Sequence, residues 1–97
     1  MKYLHTMIRS GDLEKSLHFY CEGLGFRIIS RKEFVEGKFT LVFLQAPADD
    51  GVLAPQIELT YNWGVDKYEV GTGFGHVAYQ VHSVNDVEVR LKKIGYS

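Results

Sequence analysis

Cysteine, proline and surplus charge are scarce in this chain. Cys21 is the only cysteine among 97 residues, so no internal disulfide can form. Eleven basic residues stand against twelve acidic ones, a formal net charge of −1. That balance excludes a basic nucleic-acid surface and an acidic tail. No apolar run is long enough to span a bilayer. The N-terminus lacks a charged-then-apolar leader pattern, and with the lone cysteine this points to the cytoplasm. What is abundant is apolar residues, 45% of the total, enough for one small soluble domain.

Local patterns order the chain. Residues 3–9 alternate like a strand. Asp12 suits the N-cap of a helix over 13–22, whose buried stripe is Leu13, Leu17, Tyr20, Cys21 and Leu24. Gly23 and Gly25 end it. Phe26 to Phe34 and Phe39 to Leu44 read as a hairpin around Glu36-Gly37. A loop from Ala46 to Pro55 leads to a fourth strand, Gln56 to Asn62. The order is βαβββ.

After a connector, 64–75, the pattern restarts. A strand over 76–81 precedes a helix over 84–94, with Ser83 and Asp86 as a capping pair and Val84, Val87, Leu91 and Ile94 as its stripe. His5 aligns with His76, and Leu24-Gly25-Phe26 with Ile94-Gly95-Tyr96, the offset drifting by one residue. Such self-similarity signals a duplicated unit. The expected organisation is α+β: a full βαβββ module over 1–63, the connector 64–75, and the first β-α of a second module over 76–97. Three strands of the first copy have no counterpart in the second, so the expectation is a truncated sequence. Residues 76–97, with an apolar stripe and little to cover it, are expected to be stable mainly when docked on a partner.

Period two gives each of three strands a ligand-rich face. His5, Met7 and Arg9 share one; Glu58, Thr60 and Asn62 another; His76, Ala78 and Gln80 a third. The opposite faces carry Leu4 and Ile8, Ile57 and Leu59, and Val77, Tyr79 and Val81, read as core. Two imidazoles and a carboxylate on such faces make a metal-site pattern. Taken singly, each has a plainer reading: a solvated strand histidine, an exposed carboxylate, a free arginine at position 9, a turn asparagine at 62. His18 reads as surface, His82 as loop, Trp63 as packing, and Phe19, Tyr20, Phe26, Phe34, Phe39 and Phe43 as core. The glycines at 71, 73 and 75 precede a strand, so they are no phosphate loop.

Three segments carry a family resemblance: His5-Thr6-Met7-Ile8-Arg9 with Asp12-Leu13, Ser16 and Phe19-Tyr20; Glu58-Leu59-Thr60-Tyr61-Asn62-Trp63-Gly64; and Gly73-Phe74-Gly75-His76-Val77-Ala78. In family order and spacing, they resemble glyoxalase I (lactoylglutathione lyase) of the vicinal oxygen chelate superfamily. The resemblance implies the glyoxalase/bleomycin-resistance-like fold. It also implies isomerisation of the methylglyoxal–glutathione hemithioacetal to S-D-lactoylglutathione. It makes His5, Glu58 and His76 metal ligands, with a fourth ligand glutamate lying beyond this chain. Glu58 becomes the proton-shuttling base, and Arg9, Asn62 and Thr60 the glutathione contacts. A cation that some members place before the third segment is Thr72 here. The short N-terminus and compact connector resemble the bacterial forms that prefer Ni²⁺ or Co²⁺ over Zn²⁺. The resemblance further implies a homodimer in which His5 and Glu58 face His76 of the other copy.

Other members of this architecture use a second histidine where Glu58 stands, as fosfomycin-type thiol transferases and ring-cleaving dioxygenases do. Drug-sequestering modules need no metal ligands at all. An inactive three-ligand remnant, or a drug- or metal-binding module, is the alternative to the lyase. Fold alone does not choose between them.

Overall fold

The structure, a computed structural model, describes residues 1–96; Ser97, the end of the expected second module, lies outside them. Strands β1 (His5–Arg9), β2 (Arg27–Phe34), β3 (Phe39–Gln45) and β4 (Gln56–Asn62) form one sheet in the order β1-β4-β3-β2. β1 lies parallel to β4, while β2–β3 and β3–β4 are antiparallel. Helix α1 (Leu13–Leu17) runs on as a π-helical turn (His18–Gly23) against one sheet face, and α2 (Val84–Lys93) follows the connector. No helix of the described residues is long and apolar enough to cross a membrane.

Alternation builds the core. Val42 and Leu44 of β3 and Ile57 and Leu59 of β4 point to the helix side and are almost fully buried with Leu13, Leu17 and Phe26. Each such side chain removed from water stabilises the fold by roughly 1.5–3 kcal/mol. Asp12 starts α1 as expected: extended in backbone, it accepts the Lys15 N–H through Oδ1 at 3.1 Å. This satisfies one of the donors every helix start leaves open. The loop after β3 is held at its base. Arg27 donates to the carbonyls of Pro47 (3.0 Å) and Asp49 (2.6 Å), and Gln45 Nε2 donates to those of Gly51 (3.0 Å) and Ala54 (3.3 Å).

The drift in the repeat has a structural form. Asp12 and Gly25 stand one residue further apart than Ser83 and Gly95. Both glycines have positive φ, 78° and 100°, the conformation a helix terminus favours and glycine tolerates. The residue after each glycine closes the helix end: Tyr96 N reaches Leu91 O, five back, and Phe26 N reaches Tyr20 O, six back, both at 2.9 Å. The extra residue is absorbed by the π turn, where Leu24 N bonds Phe19 O at 3.1 Å.

Several expectations are corrected. Residues 76–81 form no strand. They carry no regular secondary structure and have no ladder partner among the described residues, and a strand needs one. Val77, Tyr79 and Val81 are accordingly exposed, not core, and Leu4, before β1, is 63% exposed. Tyr79 does touch the core edge, its ring edge-on to Phe26 at 5.2 Å. Phe34, Phe39 and Phe43 belong to the sheet face away from the helices, and Phe34 is exposed. α2 buries no residue fully, Val84 of its expected stripe being 74% exposed, but its last turn touches the first module. Leu91 and Ile94 pack against Gly23, Arg90 donates to Glu22 O at 3.0 Å, and the Tyr96 ring lies edge-on to Phe19. Gly23 lies within the π turn, where its missing side chain admits Leu91: a Cβ there would stand 2.7 Å from Leu91 Cδ2. His18 is exposed, with Nδ1 3.1 Å from the Tyr96 hydroxyl.

Candidate functional site

The sheet face opposite the helices is uncovered, and β1 and β4 bring their polar residues together on it. Register pairs Met7 with Glu58 and Arg9 with Thr60. His5, one pleat further along, reaches diagonally across, so that His5 Nε2 and Glu58 Oε1 are 3.0 Å apart. The Glu58 side chain is only 15% exposed and that of His5 38%. Two neighbours fix the pair. Thr60 donates its hydroxyl to Glu58 Oε2 at 3.2 Å, and Phe43, the register partner of Glu58 on β3, lies edge-on to the His5 ring at 5.4 Å. Thr60 is itself 6% exposed, so the glutathione contact expected of it is joined by a visible task, orienting the carboxylate.

At the other end of the face, Arg9 Nη1 donates to Asn62 Oδ1 at 2.6 Å, and the Tyr68 hydroxyl donates to the same oxygen at 3.2 Å. The chain reaches Tyr68 by a tight route. Gly64 has φ 84°, and Val65 N bonds Asn62 O at 3.0 Å. The backbone of Asp66 then presses on Gly11, where a Cβ would stand 2.2 Å from Asp66 O.

His76 does not join His5 and Glu58. It is exposed, and among the described residues no third His, Cys, Asp or Glu completes a metal-holding group with them. The reason is the path of 76–81. Residues 77–79 wall a hollow with Phe26, Leu44 and Ile57, on the helix-bearing side of the sheet. Thus five of the six expected site residues share one face and the sixth lies elsewhere. Sequence reasoning missed Tyr68 and the placing of Phe43. The second was readable from alternation along β3, since Phe39, Leu41 and Phe43 share a parity opposite to buried Val42 and Leu44. No local signal marked Tyr68.

Other groups are poor chemical candidates. Burial, with the Glu22 carboxylate adding to it, pushes the Cys21 thiol up and disfavours a thiolate. Burial chiefly, then the neighbouring Tyr20, pushes the Tyr79 phenol up to about 12; the Tyr20 phenol is raised too, by burial.

Comparison with known proteins gives the family and the fold. The family described as the Glyoxalase/Bleomycin resistance protein/Dioxygenase superfamily matches residues 2–95. A lactoylglutathione lyase of Haemophilus influenzae is 52% identical over 84 residues, covering 87% of this chain and 61% of the relative. One of Escherichia coli O157:H7 is 42% identical over 96 residues, 98% of this chain and 69% of the relative. The chain thus spans about three fifths of the Haemophilus relative's length. Among solved structures, the trypanothione-dependent glyoxalase I of Leishmania major superposes with a TM-score of 0.87 at 38% identity, over 97% of this chain and 66% of that one. Glyoxalase I from Zea mays gives 0.87 at 35% identity, over 97% and 33%.

Proposed function

Because the chain belongs to the Glyoxalase/Bleomycin resistance protein/Dioxygenase superfamily, we propose that its open sheet face serves the metal-dependent isomerisation of the methylglyoxal–glutathione hemithioacetal to S-D-lactoylglutathione. The observation that carries this reading is the His5 Nε2–Glu58 Oε1 pair at 3.0 Å. An imidazole nitrogen and a carboxylate oxygen converge there without a thiolate, a donor set that suits Ni²⁺, Co²⁺ or Zn²⁺. His5 and Glu58 would hold the ion from one chain and His76 from a second copy, which makes the working unit a homodimer. The family resemblance favours Ni²⁺, and the reading is of a cytoplasmic detoxifying lyase.

When bound, the cation supplies Lewis acidity toward the two vicinal oxygens of the substrate. The chain's own residues do the rest. Glu58 takes the proton from the carbon bearing sulfur and returns it to the neighbouring carbon, so the hydroxyl and carbonyl exchange places and no atom is gained or lost. Thr60 donates to Glu58 Oε2 and so holds the carboxylate in place. Phe43 limits the swing of the His5 ring. Arg9 offers a charge-assisted contact to a glutathione carboxylate, with Asn62 beside it.

The lack of a third donor beside His5 and Glu58 among the described residues supports a second reading, a metal- or drug-binding module without turnover. Calorimetric Ni²⁺ titration beside the hemithioacetal isomerase assay separates them. The lyase reading expects Ni²⁺ affinity to fall at least about tenfold, ~1.4 kcal/mol, in both His5→Ala and Glu58→Gln, with turnover lost. Binding that ignores both substitutions, or turnover that survives Glu58→Gln, overturns it. Binding that obeys them without turnover in the parent chain establishes the second reading.

A further inference from the structure

The cluster of Arg9, Asn62 and Tyr68 has a chemistry that the identities of Arg9 and Asn62 alone do not disclose. A guanidinium only donates hydrogen bonds. The Asn62 atom 2.6 Å from Arg9 Nη1 is therefore the carbonyl oxygen. Tyr68 reaches the same oxygen at 3.2 Å, so its hydroxyl also donates. A carbonyl oxygen has two lone pairs, and both are taken. The amide is locked with its NH₂ group turned away from both partners, and among the described residues that nitrogen has no acceptor. Arg9 uses one of its five N–H groups on Asn62. What Arg9 and the Asn62 amide have left to offer is N–H donors, and donors suit an anion.

We infer that Tyr68 is a positioning residue which fixes the Asn62 amide so that its N–H donors, beside the Arg9 guanidinium, read a carboxylate of the thiol substrate. The inference rests on the lyase reading above. Tyr68 comes from the connector, not from the sheet, and the connector is pinned just before it. Val65 N is bonded to Asn62 O, and Asp66 lies against Gly11, two residues ahead of Tyr68. Without the phenol, a single donor would hold Asn62 Oδ1, and the amide could rotate to present its oxygen to the anion. A carbonyl facing a carboxylate repels it, so the phenol sets the sign of what the site offers.

The test uses the full chain loaded with Ni²⁺ and S-methylglutathione as the probe, with affinity read by calorimetry. Tyr68→Phe removes the hydroxyl and keeps the ring. It is expected to weaken probe binding about three- to tenfold and to leave Ni²⁺ affinity unchanged. In an Asn62→Ala background the same substitution is expected to cost nothing further, because Tyr68 acts through Asn62. Where turnover is measured, KM rises and kcat holds. Unchanged probe affinity in Tyr68→Phe overturns the inference. So does an equal loss in the Asn62→Ala background, which would make Tyr68 a packing residue or a direct contact. Failure of the parent chain to bind S-methylglutathione removes the lyase reading itself and this inference with it.

Discussion

Residues 5–25 and 76–95 carry the same local signals: a leading histidine, an oxygen cap at Asp12 or Ser83, an apolar helical stripe, and a positive-φ glycine at 25 or 95. Both helices form, and both caps make the expected bond, Lys15 N to Asp12 and Asp86 N to Ser83. Only the first unit gains a strand. His5–Arg9 pairs with β4, whereas 76–81 has no ladder among the described residues. The difference separates two kinds of information. A helix and its caps are satisfied within about four residues, so sequence specifies them directly. A strand is half a structure, and its other half lies far away in the chain.

The largest test of this contrast is in the core. Leu59→Ala empties a site that is 1% exposed in β4 and is expected to cost about 2–5 kcal/mol in thermal or denaturant unfolding. Val84→Ala, at a position 74% exposed in the second unit, is expected to cost under about 0.5 kcal/mol. Equal costs would mean that the second unit is as well covered as the first.

The next test is the seam between the units. Gly23→Val drives a side chain into Leu91. It is expected to cost about 1–3 kcal/mol, with amide exchange speeding up across α2 while β3 and β4 keep their protection. Loss of protection in the sheet as well would mean that α2 is part of one cooperative unit with it.

The smallest effect is a pH dependence. Tyr79 rests on Phe26 with its phenol raised from 10.0 to about 12 by burial first, then by Tyr20. A raised phenol favours the neutral form in the fold. Its contribution is therefore whole below pH 10 and is lost as pH climbs through about 12. Ultraviolet titration of Tyr79→Phe against the parent should show one late-ionising phenol fewer, and the parent's 77–79 segment should loosen across that window. Identical titrations would mean that the Tyr79 contact does not persist in solution.

Much of this was legible. The edges of β4 and the start of α2 follow from alternation and capping alone, as do one face for His5 and Arg9 and another for Glu58 and Asn62; that the two faces join comes from the pairing of β1 with β4. The one-residue drift between the two copies was also visible, though not its meaning, because a π turn is a tertiary accommodation that no propensity encodes. The position of His76 was not legible, since it depends on which side of the sheet the connector delivers residues 77–79. Tyr68 was hidden for a related reason. Its partner Asn62 is near in sequence, but the close passage of Asp66 over Gly11 directs it there. Phe34, Phe39 and Phe43 were misjudged because an aromatic in a strand reads as core, while here these three of the six belong to the open face.

The clamp on the loop after β3 has a use beyond holding shape. Arg27 and Gln45 grip backbone carbonyls up to Gly51 and again at Ala54, while Val52 and Leu53 between them are 95% and 65% exposed. Anchors on both sides of a free tip define an insertion port. Each doubling of a flexible loop adds only about 0.6 kcal/mol of closure entropy. A reporter peptide spliced between Val52 and Leu53 should therefore ride on the protein at little thermodynamic cost, and this end of the sheet is the place to attach one.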